Sequence, residues 1–332
     1  MALNGNSIIF ALLFIRLTKI QLMETQGKHI GFADITARLK DSPRRRRVAL
    51  VCPDDDHTLY VIQRALVEGV ADFTLFCSRP LSAEVSLMVR KEAGRVATIN
   101  LDTPDAAAQA AVAAVRRGEA DLLMKGTINT DNLLRAVLDK QSGLLLPDHV
   151  LTHVALAEIP GRGRLLAFSD AAVIPYPTLL QYDAIVHHLA SVSRLVGTTV
   201  PKIALIHCTE KLSAKFPLTQ SYETLKQRAE QGFYGKVEVD GPMDVKTALD
   251  VHSGSIKGLG SPVVGHADAL VFPDIEAGNV FYKTISLFAN ASMAGVLCGT
   301  TVPVVVASRA DSGESKYNSL ALACALAGRG LQ

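Results

Sequence analysis

From Val48 onward, short β-branched apolar runs alternate with amphipathic or alanine-rich stretches. The apolar runs predict ten strands, at 48–52, 73–77, 96–100, 121–124, 150–158, 164–168, 202–207, 237–240, 269–272 and 303–308. The stretches between and after them predict nine helices, near 57–69, 81–93, 104–118, 130–141, 178–196, 219–231, 242–252, 276–292 and 315–327. Such alternation predicts an α/β fold with a mostly parallel sheet and helices on both faces, a three-layer αβα arrangement. Continuous apolar strands such as VPVVVA fit burial on both faces.

Local signals support several of these elements. Thr103, Pro104 and Asp105 predict a helix start, because they supply a capping hydroxyl, a proline at the first helical position and an acid near the helix dipole. The stretch 159–163 (IPGRG) predicts a tight hairpin. The four arginines at 44–47 are interpreted as a solvated linker that enters the first strand, with an anion-binding patch as the alternative.

Length and composition narrow the function classes. The 332 residues are enough for about two domains. Thirty-four basic residues against 32 acidic ones give no basic excess of the kind that nucleic-acid-binding domains show. The five cysteines form no C-x-x-C pair, so we expect reduced thiols in a cytoplasmic protein without a disulfide framework or a zinc site.

The N-terminus raises the question of targeting. The apolar run 8–15 is far shorter than the roughly 20 residues of a membrane span, and no basic residue precedes it. We interpret residues 1–22 as translated upstream sequence with Met23 as the natural start. An ordered N-terminal element and an export signal remain alternatives.

Several catalytic signatures are missing from the sequence. It contains no G-x-x-x-x-G-K-[ST], no G-x-G-x-x-G after a strand, no G-x-S-x-G and no H-E-x-x-H. The nine histidines show no metal-ligand spacing, so no metal site is predicted. These absences argue against a P-loop kinase, a serine hydrolase and a zincin.

Polar segments follow four apolar strands: they begin at Lys125, Ser169, Pro273 and Ser308. Because ligands of open α/β sheets bind outside the carboxyl ends of strands, these segments are expected to face one cleft. The segment after Ser308 concentrates a hydroxyl, a guanidinium and acids between a buried strand and a helix.

The first of these segments has the composition of a phosphate site. Lys125, Thr127, Thr130 and Arg135 supply two cations and two hydroxyls around a predicted helix start. Ordinary capping by Thr130 is the alternative. Near the third segment, Gly278 lies inside a helix start, where glycine costs about 1 kcal/mol relative to alanine. This position indicates a close approach of backbone or ligand.

Five segments together resemble the phosphate acetyl/butyryl transferases, or phosphotransacylases, from about Val48 to Ala327. They are LMKGTINTDNLLRAVL (123–138), FSDAAVIPYPT (168–178), VDGPMDVKTALD (239–250), SPVVGHADALVFPDIEAGNVFYK (261–283) and SRADSGESKYNSLALA (308–323). The sequence ADSGES (310–315) resembles the butyryl branch of the family more closely than the acetyl branch.

The resemblance implies transfer of an acetyl, propionyl or butyryl group between coenzyme A and phosphate. It implies no bound cofactor and a homodimer or larger homo-oligomer, with acyl-CoA and phosphate as the only partners and no nucleic acid or membrane. It also implies two α/β domains with the active site in the cleft between them. Their bounds are predicted as 28–148 plus 300–332 for domain I and 149–299 for domain II, after an N-terminal extension at 1–27.

Acyl transfer needs a thiolate, a site for phosphate charge and donors for an oxyanion. The resemblance assigns Ser308 and Arg309 to catalysis, with Arg309 and Arg135 facing the charge and Ser308 donating to the intermediate. Acetyl-specific relatives carry a carboxylate at the position of Ser315, so the general base here is expected to be Asp311 or Glu314.

An ordinary carboxylate and a thiol differ by about 4–5 pKa units, so we expect Arg309 to favour the thiolate. Asp170, Asn279 and Lys283 are expected to bound the coenzyme A or phosphate region, although Asp170 could instead be a strand-end cap. Direct transfer in a ternary complex predicts no covalent acyl-enzyme.

Two other functions remain as alternatives. One is a metal- and NAD-dependent decarboxylating 2-hydroxyacid dehydrogenase of similar fold, with Asp244, Asp250, Asp268 and Asp274 as imaginable ligands. The other is a non-catalytic coenzyme A- or acyl-phosphate-binding relative, which only the departure at Ser315 supports.

Overall fold

The computed structural model describes residues 30–308 and 311–327, so the N-terminal interpretations, and Arg309, lie outside the described residues. Eleven strands are described: β1 (Arg46–Val51), β2 (Ala71–Cys77), β3 (Val96–Asn100), β4 (Leu122–Lys125), β5 (Thr152–Glu158), β6 (Leu166–Ser169), β7 (Lys202–Ile206), β8 (Glu238–Met243), β9 (Ala269–Val271), β10 (Ser292–Cys298) and β11 (Val304–Val305). They form one sheet in the order β3-β2-β1-β4-β11-β10-β5-β6-β9-β7-β8.

Eleven helices are described in the same residues. They are α1 (Phe32–Lys40), α2 (Asp56–Glu68), α3 (Ala83–Lys91), α4 (Pro104–Arg116), α5 (Thr130–Val137), α6 (Leu179–Leu195), α7 (Leu218–Glu230), α8 (Val245–Leu249), α9 (Val251–Ile256), α10 (Ile275–Phe288) and α11 (Gly313–Ala327). None of them combines the length and the apolar character that a bilayer crossing needs.

The mixed α/β architecture and the mostly parallel sheet are confirmed. All ten predicted strands are present, and the hairpin at 159–163 joins the antiparallel strands β5 and β6. Thr103 caps α4 by accepting the Ala106 N–H at 3.1 Å. The sequence analysis missed α1, which lies upstream of the first predicted strand, and β10, whose first residue was assigned to the end of a helix.

The strand β10 changes the direction of the sheet. It runs antiparallel to both β11 and β5, and β5 runs antiparallel to β6. Strands β4 and β11 therefore point opposite to β6 and β9, so the four polar segments do not end at one shared edge. Strands of both predicted domains belong to the same sheet, and the division into two domains stays a prediction.

The two faces of the sheet are covered differently. One face carries a continuous apolar cluster that includes residues of α1, α2, α6, α7 and α11. The other face carries two separate clusters, one containing residues of α4 and α5 and one containing residues of α8 and α10. Together these clusters complete the αβα layers, and the gap between the two separate clusters leaves room for a cavity above β5 and β10.

The arginine run enters the first strand as the sequence predicted: Arg44 and Arg45 are exposed and precede β1, and Arg46 and Arg47 begin it. Arg44 and Arg47 donate to the carboxylate of Asp121 at 2.9 and 2.7 Å. Arg45 donates to Asp72 at 3.1 Å. These bonds connect the start of β1 to the residue before β4 and to β2, the two strands that flank it.

Candidate active site

A cavity of about 600 Å³ opens between the two separate clusters. Its wall contains predicted site residues from three distant parts of the chain, and apolar side chains complete it. The predicted residues are Thr130, Asn279, Lys283, Ser308 and Asp311. The apolar lining includes Leu134, Val173, Val280, Leu297 and Val306.

The polar centre of the cavity is built on the segment after β11. The Ser308 N–H donates to Asp311 Oδ2 at 2.8 Å, which fixes the backbone position of the serine. The ammonium of Lys283, from α10, lies 3.9 Å from Asp311 Oδ1. Its side chain is half exposed, so the positive charge remains accessible to an anion that enters the cavity.

Helix α10 packs closely against the loop after β6. A Cβ at Gly278 would lie 2.1 Å from the Asp170 carbonyl oxygen, so only glycine fits there. The approach that the sequence indicated at Gly278 is therefore one of backbone to backbone. Asn279 donates from Nδ2 to the Ala171 carbonyl at 3.1 Å, which holds the cavity wall formed by this loop.

Asp170 has a structural position. Its buried carboxylate accepts the backbone N–H groups of His153, Ala172 and Val173, each at 2.8 Å. The side chain does not line the cavity. This placement corresponds to the strand-end cap that the sequence analysis gave as the alternative to a substrate contact.

The segment after β4 also differs from the predicted phosphate loop. Gly126 N–H and Thr127 N–H donate to the carbonyls of Val51 and Cys52 at 2.8 Å, so neither amide is available to a phosphate. Lys125 is buried, with its Nζ 3.3 Å from the Gly126 carbonyl. Of the predicted residues Lys125, Thr127, Thr130 and Arg135, the structure places Thr130 on the cavity wall.

Two other predicted residues lie outside the cavity. Arg135 is exposed on α5 and pairs with Asp105 at 3.8 Å, at the edge of a small separate recess. Glu314 is exposed at the start of α11, where its carboxylate accepts from Arg64 and from Tyr60. Of the two acids that were candidates for the base, the structure brings only Asp311 into the cavity.

Ser315 does not reach the cavity either. Its N–H donates to Ser312 Oγ at 3.2 Å in the first turn of α11. Its hydroxyl accepts from Ser312 Oγ at 3.3 Å, so the side chain contributes to the helix start.

The sequence analysis missed His153 and Tyr282 as cavity residues. Burial lowers the pKa of His153, and Lys283 lowers it further, whereas Asp170 and Asp311 raise it. Burial raises the pKa of the Tyr282 hydroxyl, with Asp311 adding to the effect. No motif surrounds His153, and its role depends on the pairing of β5 with the unpredicted strand β10.

A second recess of about 420 Å³ lies at the carboxyl ends of β1, β2 and β4. Its polar wall includes the exposed Arg79 and Asp54 and the partly buried Ser78 and Thr127. It adjoins the main cavity, because Asn129 lines this recess and the next residue, Thr130, lines the cavity. Thr127 thus belongs to this neighbouring recess, where its hydroxyl donates to the Cys52 carbonyl at 3.1 Å.

The family model described as phosphate acetyl/butaryl transferase matches residues 82–324. The chain belongs to this family. The phosphate butyryltransferase of Clostridium acetobutylicum is 35% identical over 298 residues, which cover 90% of this chain and 98% of that protein. The phosphate acetyltransferase of Thermotoga maritima is 34% identical over 282 residues, which cover 85% and 95%.

Solved structures agree with this membership. A branched-chain phosphotransacylase from Enterococcus faecalis V583 has a TM-score of 0.75 at 30% identity, over 86% of this chain and 99% of that one. A phosphotransacetylase from Streptococcus pyogenes has the same fold, with a TM-score of 0.76 at 21% identity over 91% and 100%. The predicted family, the α/β fold and the class of activity, a phosphate acyltransferase, are confirmed.

The four carboxylates of the dehydrogenase alternative have local structural roles. Asp244, Asp250 and Asp274 cap α8, α9 and α10, and Asp268 accepts from Arg164 at 2.6 Å. Within residues 30–308 and 311–327, no three side chains of metal-binding type cluster. The family match therefore favours a phosphate acyltransferase over this dehydrogenase.

Proposed function

We propose that this protein moves a short-chain acyl group directly between coenzyme A and inorganic phosphate in the cavity beside α10. The observation that carries the proposal is the meeting of Ser308, Asp311 and Lys283 in one cavity. The first two come from the segment after β11 and the third from α10. Together they supply a hydroxyl donor and a cation next to an apolar wall that suits an acyl chain.

The phosphate is proposed to bind near Lys283. The start of α5 at Thr130 adds the partial positive charge of a helix N-terminus to the same cavity. Arg309 stays a predicted contributor, because it follows Ser308 in the chain. The Ser308 hydroxyl is proposed to donate to the carbonyl oxygen as this oxygen becomes negative in the tetrahedral intermediate.

Coenzyme A is proposed to extend from the cavity into the neighbouring recess. The thioester must reach Ser308, and the nucleotide end carries several phosphate charges. Exposed Arg79 in the recess wall is the cation suited to them. Thr127 and Asn129 lie along the path between the two spaces.

Direct transfer within a ternary complex requires no protein nucleophile. No cysteine among residues 30–308 and 311–327 lines the cavity. Burial raises the pKa of Cys298, which follows the cavity residue Leu297 in the sequence, to about 12. A thiol with this pKa is protonated at neutral pH and is a poor nucleophile. Incubation with butyryl-CoA in the absence of phosphate should therefore leave the intact mass of the protein unchanged, and a stable acyl adduct on Ser308 or a cysteine would contradict direct transfer.

The protein is further proposed to act in the cytoplasm as a homodimer or larger homo-oligomer. All five cysteines are free thiols, as expected in a reducing compartment. Helix α10 exposes Leu287 and Phe288 by 71% and 79%, and large apolar side chains so exposed on one helix are typical of an interface.

The central test is thiol release from acetyl-, propionyl- and butyryl-CoA with and without phosphate. The wild-type protein should release thiol only when phosphate is present. A non-catalytic binder would release none, and this result would reject the proposed function.

A series of variants then tests the acids. We expect Asp311→Ala to lower kcat by about 10²-fold, because a serine displaced by about 1 Å loses its alignment with the reacting carbonyl. Asp311→Asn should retain more activity, since its amide oxygen can still accept the Ser308 N–H. Glu314→Ala, the matched control, should stay within about threefold of wild type, because its carboxylate bonds to Arg64 outside the cavity. An Asn variant as inactive as the Ala variant would show that Asp311 transfers the proton itself.

A further inference from the structure

The imidazole of His153 occupies a prepared space in the cavity. His153 lies on β5 directly opposite Leu297 of β10, so both side chains and that of residue 295 project from the same face of the sheet. Residue 295 is glycine, and a Cβ there would come within 2.6 Å of His153 Nε2. The missing side chain of Gly295 is what gives the ring its place. No other histidine in the described parts of the chain lines this cavity.

One nitrogen of this ring is unused by the protein. His153 Nδ1 is buried and has no hydrogen-bond partner among residues 30–308 and 311–327. Buried polar atoms are nearly always paired, so an unpaired one on a residue that lines a substrate cavity calls for an explanation. The backbone of the same residue is held firmly, since its N–H donates to the buried Asp170 carboxylate at 2.8 Å.

We propose that His153 is the proton carrier of the reaction, an inference that rests on the proposed function. In the direction of thioester synthesis, the imidazole takes the proton of the coenzyme A thiol as sulfur attacks the acyl carbon. The bond from the acyl carbon to the phosphate oxygen then breaks, and the imidazolium returns the proton to the departing phosphate. In the reverse direction, phosphate gives up this proton and the leaving thiolate receives it, so protons balance in both directions.

The charges around the ring suit this role. Burial lowers the pKa of the ring and so favours the neutral form, which a proton acceptor requires. Asp170 and Asp311 favour the imidazolium, and Lys283 opposes it. A phosphate group bound beside Lys283 would add negative charge and favour proton uptake when substrate is present. Imidazole also matches a thiol better than a carboxylate does, since its ordinary pKa lies closer to that of the thiol.

The test replaces His153 by alanine and assays butyryl-CoA with saturating phosphate. We expect kcat to fall by about 10²–10⁴-fold while the KM for butyryl-CoA changes less than threefold. Added imidazole should restore part of the rate by entering the vacated space beside Gly295. The weaker base 1,2,4-triazole, which has a similar shape, should restore less. His149→Gln serves as the control, because this exposed histidine lies outside the cavity and should leave kcat unchanged.

Each outcome decides a different claim. If wild type releases no thiol, the proposed function fails and this inference fails with it. If wild type is active and His153→Ala stays within threefold of it, His153 is not the proton carrier. A folded but inactive variant that imidazole does not restore would equally overturn the proposal. Should the alanine variant not fold, His153→Gln preserves most of the volume but cannot carry a proton, and near-normal activity of that variant would overturn it.

Discussion

Replacing Asp170 by asparagine separates a structural role from a substrate contact. The carboxylate accepts two N–H groups on Oδ1, from Ala172 and Val173, and one on Oδ2, from His153. The amide oxygen of asparagine can keep the first two bonds, but its NH₂ group must then face the His153 N–H. The charge-assisted bond from the His153 N–H is lost, and this N–H then faces the NH₂ group of the asparagine, so that two buried donors meet without an acceptor.

The magnitude follows from these three contacts. A hydrogen bond to a charged group contributes about 1.5–3 kcal/mol, and an unsatisfied buried donor costs about 1–3 kcal/mol. We therefore expect Asp170→Asn to lower the free energy of unfolding by about 2–4 kcal/mol. Asp170→Ala leaves all three donors unpaired. The resulting loss in free energy of unfolding should approach the whole stability of a typical protein, about 5–15 kcal/mol.

Urea unfolding at pH 7.5 measures the effect, with Asp131→Asn as the matched control. Asp131 is exposed on α5, so its variant should stay within about 0.5 kcal/mol of wild type. At temperatures where Asp170→Asn is fully folded, its kcat should fall less than tenfold. Unchanged stability together with a large loss of kcat or a raised KM would refute the structural role and restore the substrate contact.

Two further predictions concern the surface of α10 and a buried histidine. Phe288→Glu should convert the oligomer to a monomer in sedimentation equilibrium. The control Val67→Glu, at a residue that is 88% exposed on α2, should leave the oligomer intact. A wild-type protein that is already monomeric would contradict the interface. His188 hydrogen-bonds Thr152 at 2.8 Å, and burial lowers its pKa to about 4. As pH falls below about 6.5, the unfolded chain therefore binds a proton at this histidine while the folded protein does not, which favours unfolding. Going from pH 7.5 to 5.5 should cost about 1.4 kcal/mol of stability through this group, and His188→Gln, but not the exposed His252→Gln, should remove that loss from the urea midpoint.

Local patterns predicted nearly the whole fold. Strands such as β3 and helices such as α4 follow from apolar runs and capping residues that act within a few positions. The missed strand β10 reads SMAGVLC, a short apolar run directly after the apolar helix α10, and periodicity does not distinguish a helix from a strand in so short a run. Its identity depends on pairing with β5, a contact that spans well over a hundred residues.

The candidate site was predicted in part, and the reason lies in the local geometry of each strand end. Ser308 and Asp311 reach the cavity on the segment that follows β11, and Lys283 reaches it from helix α10. Lys125 and Thr127 do not, because the chain stays close to β1 after β4 and uses its amides there. Composition cannot tell which segment reaches the cavity, since the segments that begin at Lys125 and Ser308 both carry hydroxyls and cations at a strand end.

The shortness of β11 explains how an unbroken sheet can hold a cavity near its middle. This strand pairs with β4 over two residues and with β10 through the single pair Val304 and Leu297, and then leaves the ladder. The departure leaves the Gly295 N–H of β10 without a strand partner, and Ser319 Oγ of α11 accepts it at 3.0 Å. Because that bond satisfies the amide, the sheet tolerates the opening, and the chain that departs carries Ser308 into it. Extending β11 by one residue would place Val306 opposite Gly295, on the face of the sheet that carries His153, so we infer that the short strand is a requirement of the site.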